Sequence, residues 1–256
     1  MITLLNGYHW AKEEILAKMY SDSFYYGHLG KHALSSSSLK MILKSPKTYR
    51  NVTKYGDPNS DSPALAAGKL AHWMLLEPQK MDDVWVVEAS SKNTKIYKDA
   101  KEEKGEVFLR KEVNAAERLT DAVLRNEAAL QLLSNSEFEV PEIAMLEEGL
   151  AFRGKADIIQ GDTIIDFKTS AELQKFRYSA DKYGYDLQAY LYLRMFNKKK
   201  FTFLVVDKAS TDIGIFETTD EFISKGEEKF YRAVSDYKYF FKKNNDLDQY
   251  VMRGIL

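Results

Sequence analysis

Two runs rich in β-branched and apolar residues, 151–160 and 163–168, are separated by nothing more than Gly161 and Asp162. A two-residue connection joins antiparallel strands, and glycine in its first position admits the left-handed backbone that such turns need. With these two residues at the centre of the turn, Gln160 opposes Thr163, Ile159 opposes Ile164, and Asp157 opposes Asp166. Directly opposed side chains share a face, with Cβ atoms about 4.5–5.5 Å apart. Lys168 lies two residues beyond Asp166 and points to the same side. Ile158, Ile159, Ile164, Ile165 and Phe167 mark both strands as covered by protein, where unpaired carboxylates are costly. A divalent cation between the acids relieves their repulsion, and oxygen donors suit Mg²⁺ or Mn²⁺. Two acids, an ion and an ammonium group make a site for phosphodiester hydrolysis: the ion acidifies a water and neutralises phosphoryl charge, and Lys168 orients the water or stabilises the transition state. The plainer alternative is a solvated hairpin that happens to carry two Asp and a Lys.

Composition narrows the chemistry further. None of the 256 residues is Cys, which excludes disulfides, thiolate nucleophiles, cysteine-held zinc and cysteine-held iron–sulfur clusters. With 37 Lys+Arg against 38 Asp+Glu, the chain has no overall positive charge to draw it to nucleic acid, so any DNA contact must be a local basic patch. Residues 40–50, 92–98 and 198–200 are such stretches, although basic stretches are most often just solvated surface. No apolar run approaches the roughly 18–20 residues of a membrane span, so no membrane association is expected. The first ten residues lack a basic head and a small-residue cleavage site, and the chain is expected to be cytoplasmic and uncleaved. No phosphate-binding loop of the Gly-x-x-x-x-Gly-Lys-Ser/Thr type is present.

Scarce Pro and Gly and the absence of a linker favour one domain over residues 1–256, with an N-terminal helical region (1–62), a core (63–220) and a C-terminal helix (221–256). The serines at 35–38 precede Leu39, Met41, Ile42 and Leu43 as a helix start, and Pro46 is expected to close that helix. Ser62 and Pro63 are expected to open another, which runs towards Pro78. A short strand is predicted at 84–87, and one or two helices over 93–125. Strands at 139–146, 151–160 and 163–168 are followed by helical patterns at 173–180 and 185–196. Strands at 201–207 and 213–218 come next, and then a helix from about Asp220. The fold class is α/β or α+β, a central mixed sheet flanked by helices.

Several segments together resemble the PD-(D/E)XK nuclease superfamily, specifically the RecE-like, exodeoxyribonuclease VIII-like exonucleases of phage type. Leu34 to Pro46 looks like that group's N-terminal signature, and Gly68-Lys-Leu-Ala-His72 with Leu75-Leu-Glu-Pro78 like its glycine-to-histidine helix. Arg153-Gly-Lys-Ala-Asp157 followed by Asp166-Phe-Lys168-Thr169 resembles its metal-binding core, and Tyr183 to Tyr190 its glutamine and tyrosine helix. Ala156 stands where the superfamily often has Pro.

The resemblance implies that Asp157 and Asp166 ligate the metal, that Phe167 offers its carbonyl, that His72 reaches the ion and that Lys168 is catalytic. It implies that Glu142 is the further acid near the site, with Glu139, Glu147 and Glu148 as competitors, and that Gln188 holds active-site groups or DNA. Arg153, two pleats from Asp157, is placed to receive a phosphate or to pair with Glu142 or Glu148. Tyr185, Tyr190 and Ser37 are candidate DNA contacts, though amphipathic spacing makes Tyr190 a core position and capping accounts for the serines. The implied activity is ATP-independent, Mg²⁺-dependent (or Mn²⁺-dependent) digestion of linear double-stranded DNA from 5′ ends, leaving 3′ overhangs for a RecT-like single-strand annealing protein. The implied assembly is a homo-oligomeric ring around DNA, in a bacterial cell and encoded by a phage or prophage. Other nucleases of this fold, endonucleolytic or 3′-directed, and a non-catalytic DNA-end binder are the competing readings.

Overall fold

The hairpin forms around Gly161 as the spacing predicts. In the computed structural model, which describes residues 1–56 and 63–252, Gly161 takes φ +56 and Gln160 pairs with Thr163, Ile159 with Ile164 and Ile158 with Ile165. Upstream of the hairpin the chain forms β1 (Ile2–Thr3), β2 (His9–Trp10), α1 (Lys12–Lys18), a π-helical stretch Ser23–His28, α2 (Leu29–His32), α3 (Ser36–Lys44), α4 (Pro46–Tyr55) and α5 (Pro63–Leu76). There follow β3 (Trp85–Val87), α6 (Lys95–Lys104), β4 (Val107–Leu109), α7 (Arg110–Arg125) and α8 (Glu127–Leu133). The hairpin belongs to β5 (Glu137–Glu147), β6 (Leu150–Gln160) and β7 (Thr163–Ser170). After it come α9 (Phe176–Lys182), α10 (Tyr185–Phe196), β8 (Lys200–Asp207), β9 (Ile213–Glu217) and α11 (Asp220–Tyr237).

The main sheet has the order β5-β6-β7-β8-β9. Its neighbours are antiparallel except β7 and β8, which run parallel because α9 and α10 form the crossover between them. The sheet is therefore mixed, as expected, and it is buried on both faces. On one face Phe152, Ile164 and Phe203 pack with Leu39 of α3, Leu187 and Leu191 of α10 and Phe230 of α11. On the other, Ile158, Ile165 and Leu204 pack with Leu70 of α5 and Val113 and Leu119 of α7. The apolar runs in these strands are the sequence trace of that double burial. Among the described residues no helix is long and apolar enough to cross a membrane.

Several boundaries differ from the sequence expectation. Ser35 caps α3 as predicted, exchanging hydrogen bonds with Ser38. Pro46, however, does more than close that helix: it is the first residue of α4, and Ser45 caps the new helix through Lys47 N–H. The charged stretch 93–125 is two helices with β4 between them, a three-residue strand parallel to β3 and too short to show a period. The N-terminal elements before Ala33 carry no clear periodicity and are specified by a third apolar cluster, Ile2, Ile15, Met19 and Leu29 against Ile143 and Ala151. Leu34 ties that layer to the sheet, its N–H donating to Ala151 O at 2.8 Å and its carbonyl accepting from Arg153 N–H at 2.7 Å. The expected Ser62 cap lies outside the described residues.

The helices α10 and α11 cross closely at Gly226, where a Cβ would collide with the Asp186 carbonyl and lie 3.0 Å from Tyr190 Cβ. Helix propensity alone makes Gly226→Ala stabilising by about 1 kcal/mol; the collision predicts the reverse, a loss of about 1–3 kcal/mol. Thermal denaturation followed by circular dichroism decides the sign.

Candidate active site

Paired backbone in the hairpin ends at Ile158 and Ile165, one step short of the two acids. Asp157 and Asp166 are next to each other, but each is committed to different groups. One oxygen of Asp157 accepts the Phe167 N–H at 2.9 Å, and the other lies 3.4 Å from His72 Nε2. Asp166, only 1% exposed, accepts from Gln188 Nε2 at 2.7 Å and forms an ion pair with Lys168. The two acids thus join two adjoining clusters, Asp157 with His72 and Asp166 with Lys168 and Gln188.

The first cluster comes from three separate segments. His72 projects from α5, Glu77 lies one residue past the end of that helix, and Glu139 lies on β5 between the pairs Phe138–Ile158 and Val140–Ala156, hence across from Asp157. Ligand atoms of His72, Glu77 and Glu139 all lie within 4.8 Å of one another. The His72 Nε2 to Glu139 separation is 3.2 Å. Lys155 is buried beside them, 3.4 Å from Glu139 and 4.0 Å from Glu77.

The acid brought to the site is Glu139, not the expected Glu142. Glu139 has φ +51, which breaks the strand's regular alternation and turns this side chain into the cluster. Glu142 pairs across the strand with Gly154 and is held by Lys12 of α1 at 2.7 Å.

Electrostatics show what the first cluster can hold. Burial and the adjacent Asp157 charge push Glu139 up to about 7. Burial works against a charged His72, but Asp157 and then Glu139 outweigh it and lift the imidazole to about 9. Burial likewise favours a protonated Asp157, yet His72 and Lys168 hold it below the usual carboxylate range. Asp166 is lifted to about 6 by burial, against the pull of Lys168. Buried carboxylates gathered beside a histidine nitrogen, with Glu139 held towards its protonated form, fit a hard divalent cation, which neutralises their charge. His72, Glu77, Glu139 and Asp157 are the residues that would hold it.

Both clusters open into one cleft of about 1030 Å³, lined among others by His72, Glu77, Glu139, Phe167 and Lys168. Its wall mixes charges: Lys40, Lys69, Lys80, Lys168 and Lys208 line it together with Asp22, Glu77, Glu106 and Glu139, with Lys69 paired to Glu106 and Lys80 to Asp22 and Glu77, and Trp73, Tyr183 and Tyr185 supply aromatic faces. Tyr185 lies where expected, with the Lys168 ammonium 5.2 Å from its ring centre.

Three expected substrate contacts are placed elsewhere. Arg153 is buried with its guanidinium 4.4 Å from the Tyr25 ring centre, so packing under the N-terminal layer, not phosphate, occupies it. Tyr190 is a core residue whose hydroxyl donates to Glu227 of α11 at 2.8 Å. Ser37 is exposed on the first turn of α3 and does not line the cleft. Glu77, Lys155 and Lys40 were not singled out from the sequence: nothing in their spacing reveals convergence from distant segments.

A cation in the first cluster competes with protons on His72 and Glu139, whose affinities fall near pH 9 and 7. Below those values the donors are protonated, so affinity for Mn²⁺ is expected to rise at least about tenfold from about pH 6 to about pH 8.5. Isothermal titration calorimetry in two buffers of different ionisation enthalpy also reads the protons released.

The family described as PDDEXK-like domain of unknown function (DUF3799) matches residues 35–248 of this chain. Among solved structures the chain is similar to a "Putative exonuclease" from Eubacterium rectale, with TM-score 0.65 and 17% identity over 92% of this chain and 95% of that one. It is also similar to a phage related exonuclease from Haemophilus somnus 129PT, with TM-score 0.35 and 15% identity over 83% of this chain and 96% of that one. No curated protein matches the sequence.

Proposed function

The chain belongs to the PDDEXK-like family DUF3799, and from that premise we propose that it is a Mg²⁺-dependent exonuclease acting on ends of linear double-stranded DNA. The observation that carries this reading is the meeting, in one cleft, of a cation-ready cluster and a buried Asp–Lys–Gln cluster. A pure DNA binder has no need of either. Mn²⁺ fits the same donors, including the histidine nitrogen.

Bound there, a divalent cation supplies Lewis acidity towards the phosphoryl oxygens and the attacking water. The protein's own groups do the rest. Although burial disfavours its charge, Lys168 is held protonated by Asp166 and Asp157, so it acts as a fixed cation against the charge that develops on phosphorus-bound oxygen, not as a base. Gln188 fixes one oxygen of Asp166 and thereby the direction of the other. Tyr183 and Tyr185 offer faces on which terminal bases stack irrespective of sequence.

The finer features rest on the resemblance to RecE-like enzymes: 5′ to 3′ polarity, 3′ overhangs passed to a single-strand annealing protein, a homo-oligomeric ring, and a cytoplasmic, phage or prophage origin. The lack of a phosphate-binding loop supports ATP-independent digestion.

Linear duplex labelled at its 5′ or 3′ terminus, incubated with Mg²⁺ or EDTA beside covalently closed circles, tests the reading. Loss of the linear form alone, from the 5′ end and only with Mg²⁺, is expected; cutting of the circles overturns exonuclease action. Asp166→Asn and Lys168→Ala are each expected to lower the rate about 10²- to 10³-fold without unfolding the protein. The two glutamates separate the sites: Glu139→Gln is expected to cost about 10²-fold or more, and Glu142→Gln less than about threefold.

A further inference from the structure

Lys40 leaves α3 and lays its side chain across the entrance to α10. Its stem runs alongside Gly184: a Cβ built there would lie 3.5, 3.6 and 3.7 Å from Cγ, Cε and Cδ of Lys40, ordinary packing contacts. Its ammonium reaches Gln188 Oε1 at 3.4 Å and the Tyr185 ring centre at 5.2 Å, the distance at which Lys168 approaches that same ring. The group lines the cleft. Among the described residues no carboxylate lies within ion-pair distance of it, so an ammonium with three donors has one long hydrogen bond to a neutral amide. Burial and the neighbouring Lys168 charge lower its affinity for its own proton, to about 8.

Two ammonium groups share one tyrosine: Lys168 is paired with Asp166, and Lys40 has no carboxylate at ion-pair distance among the described residues. What completes Lys40 is an anion, and the cleft of about 1030 Å³ that it lines can bring one to it. We propose that Lys40 is a substrate-contacting residue that binds a non-bridging oxygen of one DNA backbone phosphate, while its contact with Gln188 Oε1 couples that phosphate to the group that aims Asp166. The inference rests on the nuclease reading and names a contact which that reading does not require. Nothing in the helical pattern of α3 reveals this, because Lys40 sits among that helix's polar positions and is half-buried only by α10 packing beside it.

The test is a binding cycle in EDTA, by fluorescence anisotropy, on short linear duplexes carrying a single neutral methylphosphonate at the first, second or third linkage from the end. Wild type is expected to lose about ten- to thirtyfold in affinity at one of these linkages. Lys40→Gln is expected to lose the same factor on fully charged duplex and nothing more at that linkage. Lys40→Arg, which keeps a cation on a long stem, is expected to recover most of the affinity. Lys44→Gln, which removes an exposed charge from the same helix, serves as the control for general electrostatics. Penalties that multiply at every linkage, or Lys40→Gln binding as wild type does, overturn the proposal while Mg²⁺-dependent cutting by wild type leaves the nuclease reading standing. Wild type that neither binds nor cuts DNA overturns both.

Discussion

A carboxylate with 1% of its surface exposed sits in the middle of this sheet, and the surrounding structure is organised around keeping Asp166 there. An isolated buried anion is unaffordable in a folded protein unless it is paired and hydrogen-bonded. The pairing cation is local, Lys168 on the same strand; the hydrogen bond is remote, from Gln188 on the helix that crosses from β7 to β8. That helix must therefore be fixed in rotation, and a second buried ion pair fixes it: Asp186, also 1% exposed, is held by Lys229 of α11 at 2.6 Å. The close crossing at Gly226 is what lets the two helices come near enough for this. Chemistry at the sheet thus depends on packing two layers away.

Much of this was readable from the residues in order. The two-residue turn set the hairpin register, doubly buried strands showed as unbroken apolar runs, and α10 begins and ends where its pattern did. Asp157, Asp166 and Lys168 come together as the turn and the strand spacing predict, whereas His72 and Gln188 reach them from distant helices and are expected from the resemblance alone. The three-residue strands β3 and β4 and the N-terminal elements were illegible because they are specified by contacts with distant chain, not by their own pattern.

The same distinction runs through the site. Glu142 is expected from the resemblance alone, with Glu139 among its competitors, and it is Glu139 that reaches the cluster, through a left-handed backbone torsion that a sequence does not display. Glu77 is outside the helix that carries His72, and only the turn after Leu76 brings the two together. Arg153 was read correctly as facing one side of its strand, but that side is roofed by Tyr25 and the residues before Ala33. Alternation gives the direction of a side chain; it does not say what covers it.

That roof has a further consequence. Leu34 is bonded in both directions to β6, on the residues flanking Phe152 and only a few positions before Asp157, so it acts as a seam between the leading segment and the strand that bears the chemistry. The residues that match the family model begin one residue later, at Ser35. Trimming the polypeptide to that boundary would unpick the seam, uncover Ile143 and Ala151, and leave two backbone groups of β6 without partners. The smallest stretch that keeps this sheet closed is therefore longer than the stretch the family model spans.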